Sequence, residues 1–131
     1  MEFIPASGST KGPDVMFTGD VYFDVIIGEQ FPHARVNIVH FTPGARTAWH
    51  MHTVGQALHV IEGTGLVQAR GGEVKMMRTG DTVFTSAGEW HWHGATSENF
   101  MTHLAIWEVP EGGPDSEWGD HVSDEEYNRH P

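Results

Sequence analysis

Cysteine is absent from the 131 residues, which excludes disulfides and thiolate chemistry. A chain without thiols fits a reducing compartment, so the expected location is cytoplasmic. Basic residues are few: seven Lys and Arg stand against 18 Asp and Glu, for a formal charge of −11. Phosphate backbones are held by clustered Lys and Arg, so the composition argues against a nucleic-acid partner. Long apolar runs are missing too. No stretch approaches the ~20 apolar residues of a membrane span, and Met1 to Thr10 lacks the basic and apolar pattern of a signal peptide. There is no repeat and no low-complexity segment.

What remains is one domain over residues 1–131, with a core at about 35–109 and an extension at 110–131. Sixteen glycines and seven prolines punctuate short β-type stretches, which predicts an all-β fold. The predicted strands are Val21 to Ile27, Arg35 to Thr42, Ala57 to Glu62, Gly65 to Arg70, Glu73 to Arg78, Thr82 to Ser86 and Met101 to Val109. Gly71-Gly72 reads as a two-residue hairpin turn. One short helix is predicted near the C-terminus, where Ser123 and Glu126 form a capping box before Tyr127. Residues 108–131 hold eight acidic side chains and one arginine, the pattern of a solvated tail. Small barrels of this kind leave edges that a second subunit covers, so a homo-oligomer, dimer or tetramer, is expected.

Ten histidines are scattered along the chain. His50 and His52 are two apart, so on a strand both imidazoles point the same way. Gln56 opens the next strand and can bring its amide oxygen to the same point, and His91 could supply a third imidazole. These positions lie in two clusters. In the first, Gly44, His50, His52, Gln56 and Gly63 are spaced as Gly-x5-His-x-His-x3-Gln-x6-Gly. In the second, Gly80, Ser86, Gly88 and His91 are spaced as Gly-x5-Ser-x-Gly-x2-His.

The two clusters resemble the paired motifs of the cupin superfamily, with Gln56 and Ser86 where Glu and Pro are usual. The resemblance implies a cupin double-stranded β-helix, a jelly-roll barrel, with one divalent metal per chain on His50, His52, Gln56 and His91. Further segments resemble the manganese-dependent cupin hydroxynitrile lyases of bacteria: Lys11-Gly-Pro13, Phe17-Thr-Gly19, Gly88 to Ala95, Met101 to Ile106 and His121 to Tyr127. That likeness favours Mn(II), while a neutral set of imidazoles and one amide also suits Fe(II), Ni(II) or Zn(II).

The implied activity is cleavage or formation of a cyanohydrin by a metal-dependent carbon–carbon lyase. An Fe(II)-dependent dioxygenase and a non-catalytic ligand-binding cupin are the alternatives. His93 follows His91 by two and so faces inward. His103 shares a strand face with Met101, Ala105 and Trp107. The resemblance puts both beside the metal, as proton carriers titrating near neutrality, so activity is expected to rise around pH 5 to 7.

Asn37, Val39 and Phe41 share another strand face and, with Trp107, are the expected substrate-pocket residues. The resembling lyases carry a smaller Gln at Trp107 and an Ala at Asn37. A narrower pocket follows, one that favours small aliphatic substrates over bulky aromatic ones. By alternation His40 and His59 face away from the cavity, as do Trp49, Trp90 and Trp92, all read as packing or interface residues. His33, His121 and His130 are read as solvated. Arg46 is read as lining the cavity mouth or holding a salt bridge.

Overall fold

The computed structural model describes residues 1–129. Its elements follow as β1 (Thr10–Lys11), β2 (Phe17–Thr18), β3 (Val21–Ile27), β4 (Ala34–Phe41), β5 (Arg46–Thr47) and β6 (His50–His52). After these come β7 (Gln56–Ala69), β8 (Lys75–Arg78), β9 (Thr82–Thr85), β10 (His91–Ala95), β11 (Met101–Glu108), β12 (Ser116–Trp118) and α1 (Asp124–Tyr127). Every strand pairing is antiparallel. The first sheet runs β1-β3-β4-β11-β7-β9, and the second joins β7 to β8 and β10, which in turn pairs β5 and β6.

β7 belongs to both sheets. Its first half pairs β11 and β9, and its second half pairs β10 and β8. The sequence reads this segment as two strands because glycines at 63 and 65 interrupt it. Those glycines mark the crossing instead of a break. Gly63 has a φ of 79° and its backbone lies against that of Phe100, and Gly65 lies against Gly94, so neither position has room for a Cβ. The predicted turn at Gly71-Gly72 exists, closed by the Gly72 N–H donating to Ala69 O at 2.9 Å. However, the β7–β8 ladder ends at Val67–Lys75, so the connection is longer than two residues.

Two apolar clusters fill the molecule. One lies between the sheets and includes Phe41, Leu58, Val60, Met77 and Met101. The other lies outside the second sheet and joins Trp49, Leu66, Val74 and Trp92 to Val122 and Tyr127. Trp49 and Trp92 thus pack away from the cavity, with Trp90 against the same cluster, as their alternation predicts.

The acidic extension is not the solvated tail read from its charge. β12 pairs β6, Val122 and Tyr127 are buried, and the Tyr127 hydroxyl donates to Ala95 O at 2.6 Å. Apolar residues spaced among the acids anchor the segment, while Glu111, Glu117, Asp120, Asp124 and Glu125 are exposed. Arg46 takes the salt-bridge role: it is buried, donates to Val122 O and Asp124 Oδ1 at 2.8 Å each, and lies over the Tyr127 ring. The capping box of Ser123 and Glu126 on α1 is present. On the outer face of the first sheet, His40 bonds Asp24 and Thr102, and His59 bonds Thr82. His33 and His121 are exposed, and His130 lies outside the described residues.

Candidate metal centre

Two strand pairings bring the histidines together. β6 meets β10 with His50 opposite His91, and β11 meets β7 and β4 with His103 beside Val60 and Val39. The two-residue period then turns His50, His52, His91, His93 and His103 into the space between the sheets, with Gln56 at the start of β7. All six side chains are buried.

Donor atoms of His50, His91 and His93 lie within 4.8 Å of one another, and this buried trio could hold one metal ion. The His52 ring lies 5.2 Å from His50 and 5.9 Å from His91. Gln56 Oε1 is 3.1 Å from His91 Nε2. The structure therefore groups His50 and His91 of the motif with His93, and sets His52 and Gln56 beside them. Sequence spacing alone cannot rank His93 against His91, because side chains two apart share a face and both reach inward.

The hydrogen bonds orient the rings for cation binding. His50 Nδ1–H donates to Ala48 O and His91 Nδ1–H to Glu89 O, each at 2.9 Å. A carbonyl only accepts, so each Nε2 carries the lone pair. His91 Nε2 then faces Gln56 Oε1, a second acceptor, at 3.1 Å. Adjacent ligands in an octahedron with bonds of ~2.1 Å sit about 3 Å apart, so one cation bound by both relieves this contact. Both ring nitrogens of His52, Nε2 of His93 and Nδ1 of His103 are buried with no hydrogen-bond partner among the described residues. Each such group costs about 1–3 kcal/mol unless it is satisfied. A cation and a bound substrate are suited to satisfy them.

Electrostatics favour neutral imidazoles. Burial pushes His52 down to about 4, opposed only weakly by Asp115. It likewise pushes His103 down to about 4, and holds His91 below and His50 and His93 well below the ordinary histidine range. The near-neutral proton carrier read from the sequence is therefore displaced to lower pH, because both candidates are fully enclosed. His93 Nδ1 and His103 Nε2 are 3.0 Å apart, within hydrogen-bond distance.

The site opens into a cavity of about 350 Å³. Asn37, Val39 and Trp107 line it as read from the sequence, and His50, His52, Gln56, His93 and His103 form its polar end. Phe41 does not line it. Its ring packs beneath the histidines, 5.2 Å from His103 and 5.9 Å from His93, as part of the core. Asn37 makes no side-chain hydrogen bond among the described residues.

Residues that sequence reasoning passed over complete the walls: Met16 and Phe17 from the N-terminal segment, and Asp115, Ser116 and Trp118 from the extension. Trp118 stacks on His50 with centroids 4.3 Å apart and planes 11° apart. Trp107 sits 6.0 Å from His52 and donates its indole N–H to Asp115 Oδ2 at 2.9 Å. A tryptophan at alternating spacing inside an acidic stretch was the available signal.

Comparison with known proteins agrees with this geometry. Residues 37–107 match the cupin domain family. Over 127 residues the chain is 45% identical to (R)-mandelonitrile lyase from Granulicella tundricola, covering 96% of each chain. A cupin-like protein from Thermotoga maritima superposes with a TM-score of 0.87 at 34% identity, over 97% of this chain and 95% of that one. A polyketide cyclase from Streptomyces resistomycificus superposes at 0.75 with 14% identity, covering 97% and 90%, which speaks to the fold alone.

Proposed function

The chain belongs to the cupin domain family, and we propose that it is a metal-dependent hydroxynitrile lyase acting on cyanohydrins. The observation that carries this reading is the His93–His103 pair, a buried proton acceptor beside His50 and His91, in a chain 45% identical to a mandelonitrile lyase. His50, His52, Gln56 and His91 are the proposed holders of one divalent ion, with Mn(II) favoured and Fe(II), Ni(II) or Zn(II) able to occupy the same neutral donor set. When bound, such an ion supplies Lewis acidity towards a hydroxyl oxygen.

The chain's own groups handle the proton. If His93 Nδ1–H donates to His103 Nε2, His93 Nε2 keeps a free lone pair on the side of His50 and His91. That nitrogen takes the hydroxyl proton of the cyanohydrin. The oxygen's electron pair becomes the carbonyl π bond, the carbon–carbon bond to the nitrile breaks, and its electrons leave on cyanide. The imidazolium returns its proton to cyanide, and hydrogen cyanide and the carbonyl compound depart. His103 shares the positive charge through the 3.0 Å bond. Trp118 and Trp107 close the polar end against water, and the apolar wall of Met16, Phe17, Val39 and Trp107 receives the substituent.

The test is cyanide release from mandelonitrile and from acetone cyanohydrin by Mn(II)-loaded protein without oxygen. Release that tracks metal content supports the reading. Loaded protein that releases no cyanide from either compound, or only when oxygen is consumed, overturns it.

A further inference from the structure

We infer that Asp115 is a positioning residue that decides which cyanohydrins fit. It fixes the Trp107 indole as a wall of the pocket, and the class so selected is the cyanohydrins of small aliphatic carbonyl compounds. The inference rests on the lyase reading above and gives a role to a residue outside the histidine cluster and its motif.

Trp107 needs such a partner. It stands on β11, the strand of His103, opposite Gln56 of β7. The half-buried ring packs against the apolar core and also borders the cavity of about 350 Å³. Open space beside a strand residue leaves more than one staggered rotamer accessible, so packing alone does not settle where the ring stands. The bond from its Nε1–H to Asp115 Oδ2 at 2.9 Å settles it. A carboxylate acceptor makes that bond charge-assisted, about twice as strong as a neutral one. The ring's single polar atom is thereby engaged, and Trp107 offers the substituent only hydrocarbon.

Asp115 is itself held. Its Oδ1 accepts the Ser116 hydroxyl at 3.1 Å, and its backbone carbonyl accepts the Thr53 N–H at 2.9 Å. The next residue, Ser116, is paired with His52 on β6. Through Asp115 the indole is therefore tied to the strand that carries His50 and His52, although Trp107 itself belongs to the strand of His103. The spacing between the histidine cluster and the wall is set across the cavity and not within one sheet. Among the described residues Asp115 enters no ion pair. Its half-buried carboxylate serves the indole and the neighbouring hydroxyl instead.

The test compares Asp115→Ala and Asp115→Asn, each alone and with Trp107→Gln, in the full-length chain. Cyanide release from mandelonitrile and acetone cyanohydrin is measured on Mn(II)-loaded protein. The Trp107 indole N–H is followed by nitrogen–proton correlation NMR on Zn(II)-loaded protein, which is diamagnetic, and is identified by its absence from the Trp107→Gln spectrum. Asp115→Ala should raise kcat/KM for mandelonitrile relative to acetone cyanohydrin by about ten-fold, mainly through KM, and should move the indole resonance. Asp115→Asn, which keeps an acceptor oxygen, should restore most of the selectivity and the resonance position. With Trp107→Gln present, Asp115→Ala should change the ratio by less than about two-fold. An unchanged ratio in Asp115→Ala, or the same rise with Trp107→Gln present, overturns the inference. So does an equal loss on both substrates in both Asp115 variants, the mark of a merely structural role. If neither wild type nor variants release cyanide, the lyase reading fails on its own account. The spectrum still judges the tie, and an indole resonance unmoved by Asp115→Ala overturns it.

Discussion

Removing the metal should turn the buried histidines into an acid trigger for unfolding. His52 and His103 hold folded-state values near 4, against ~6.5 in an unfolded chain. Because the folded values are the lower ones, the unfolded chain binds protons that the native state refuses once pH falls below ~6.5. Their contribution is therefore fully present above that pH and is lost progressively down to about 4. At ~1.4 kcal/mol per unit, each group is worth about 3 kcal/mol, and His50, His91 and His93 act in the same direction. Near pH 5 two such groups give a slope of about 2.4 kcal/mol per pH unit. A domain stabilised by roughly 5–15 kcal/mol should then lose about 5 kcal/mol of its margin by pH 4.5. Urea titration of chelator-treated protein at pH 7.5, 6.0, 5.0 and 4.5, followed by tryptophan fluorescence, measures this directly. Metal-loaded protein, whose ligands are held deprotonated, should resist about a pH unit further. A metal-free stability that stays flat between pH 6.5 and 4.5 would refute the reasoning, since imidazoles that titrate freely are not enclosed as described.

Three further outcomes are expected. His103→Ala should lower cyanide release by roughly 10²-fold at normal metal content, and the wild-type rate should keep its plateau down to about pH 5. Trp107→Gln should selectively raise the rate on mandelonitrile over acetone cyanohydrin; an equal response from both would remove Trp107 as a determinant of pocket size. Tyr127→Phe, which deletes the 2.6 Å bond to Ala95 O, should cost about 1 kcal/mol in urea titration without loss of metal, and no change at all would mean that the extension adds little to stability.

Much of this could be read from the residues. Strand-period spacing put His50 with His52, and His91 with His93, on shared faces, the family resemblance placed His91, His93 and His103 at the site, and the structure encloses all five. It failed where contacts run between distant segments. Phe41 shares a face with Val39, yet its ring packs into the core against His93 and His103 and is a floor rather than a wall. The role of residues 114–118 was masked by the carboxylates around them, because charge density reports on what faces solvent and not on what one tryptophan reaches. Titration misled for a similar reason: alternation gives direction, whereas depth sets the desolvation that moves a histidine from ~6.5 to about 4.

The strand shared by the two sheets has a mechanical consequence. A sandwich of independent sheets can part along its seam like the covers of a book, but here one continuous hydrogen-bonded strand, Gln56–Ala69, is stitched into both covers. Parting them means tearing its ladders, so the frame behaves as a rigid box. The Pro13–Phe17 turn and the segment from Asp115 to Trp118 close the cavity on the remaining side, and both are hydrogen-bonded to that frame. The donor atoms carried by that strand and its neighbours therefore stay in register from one turnover to the next.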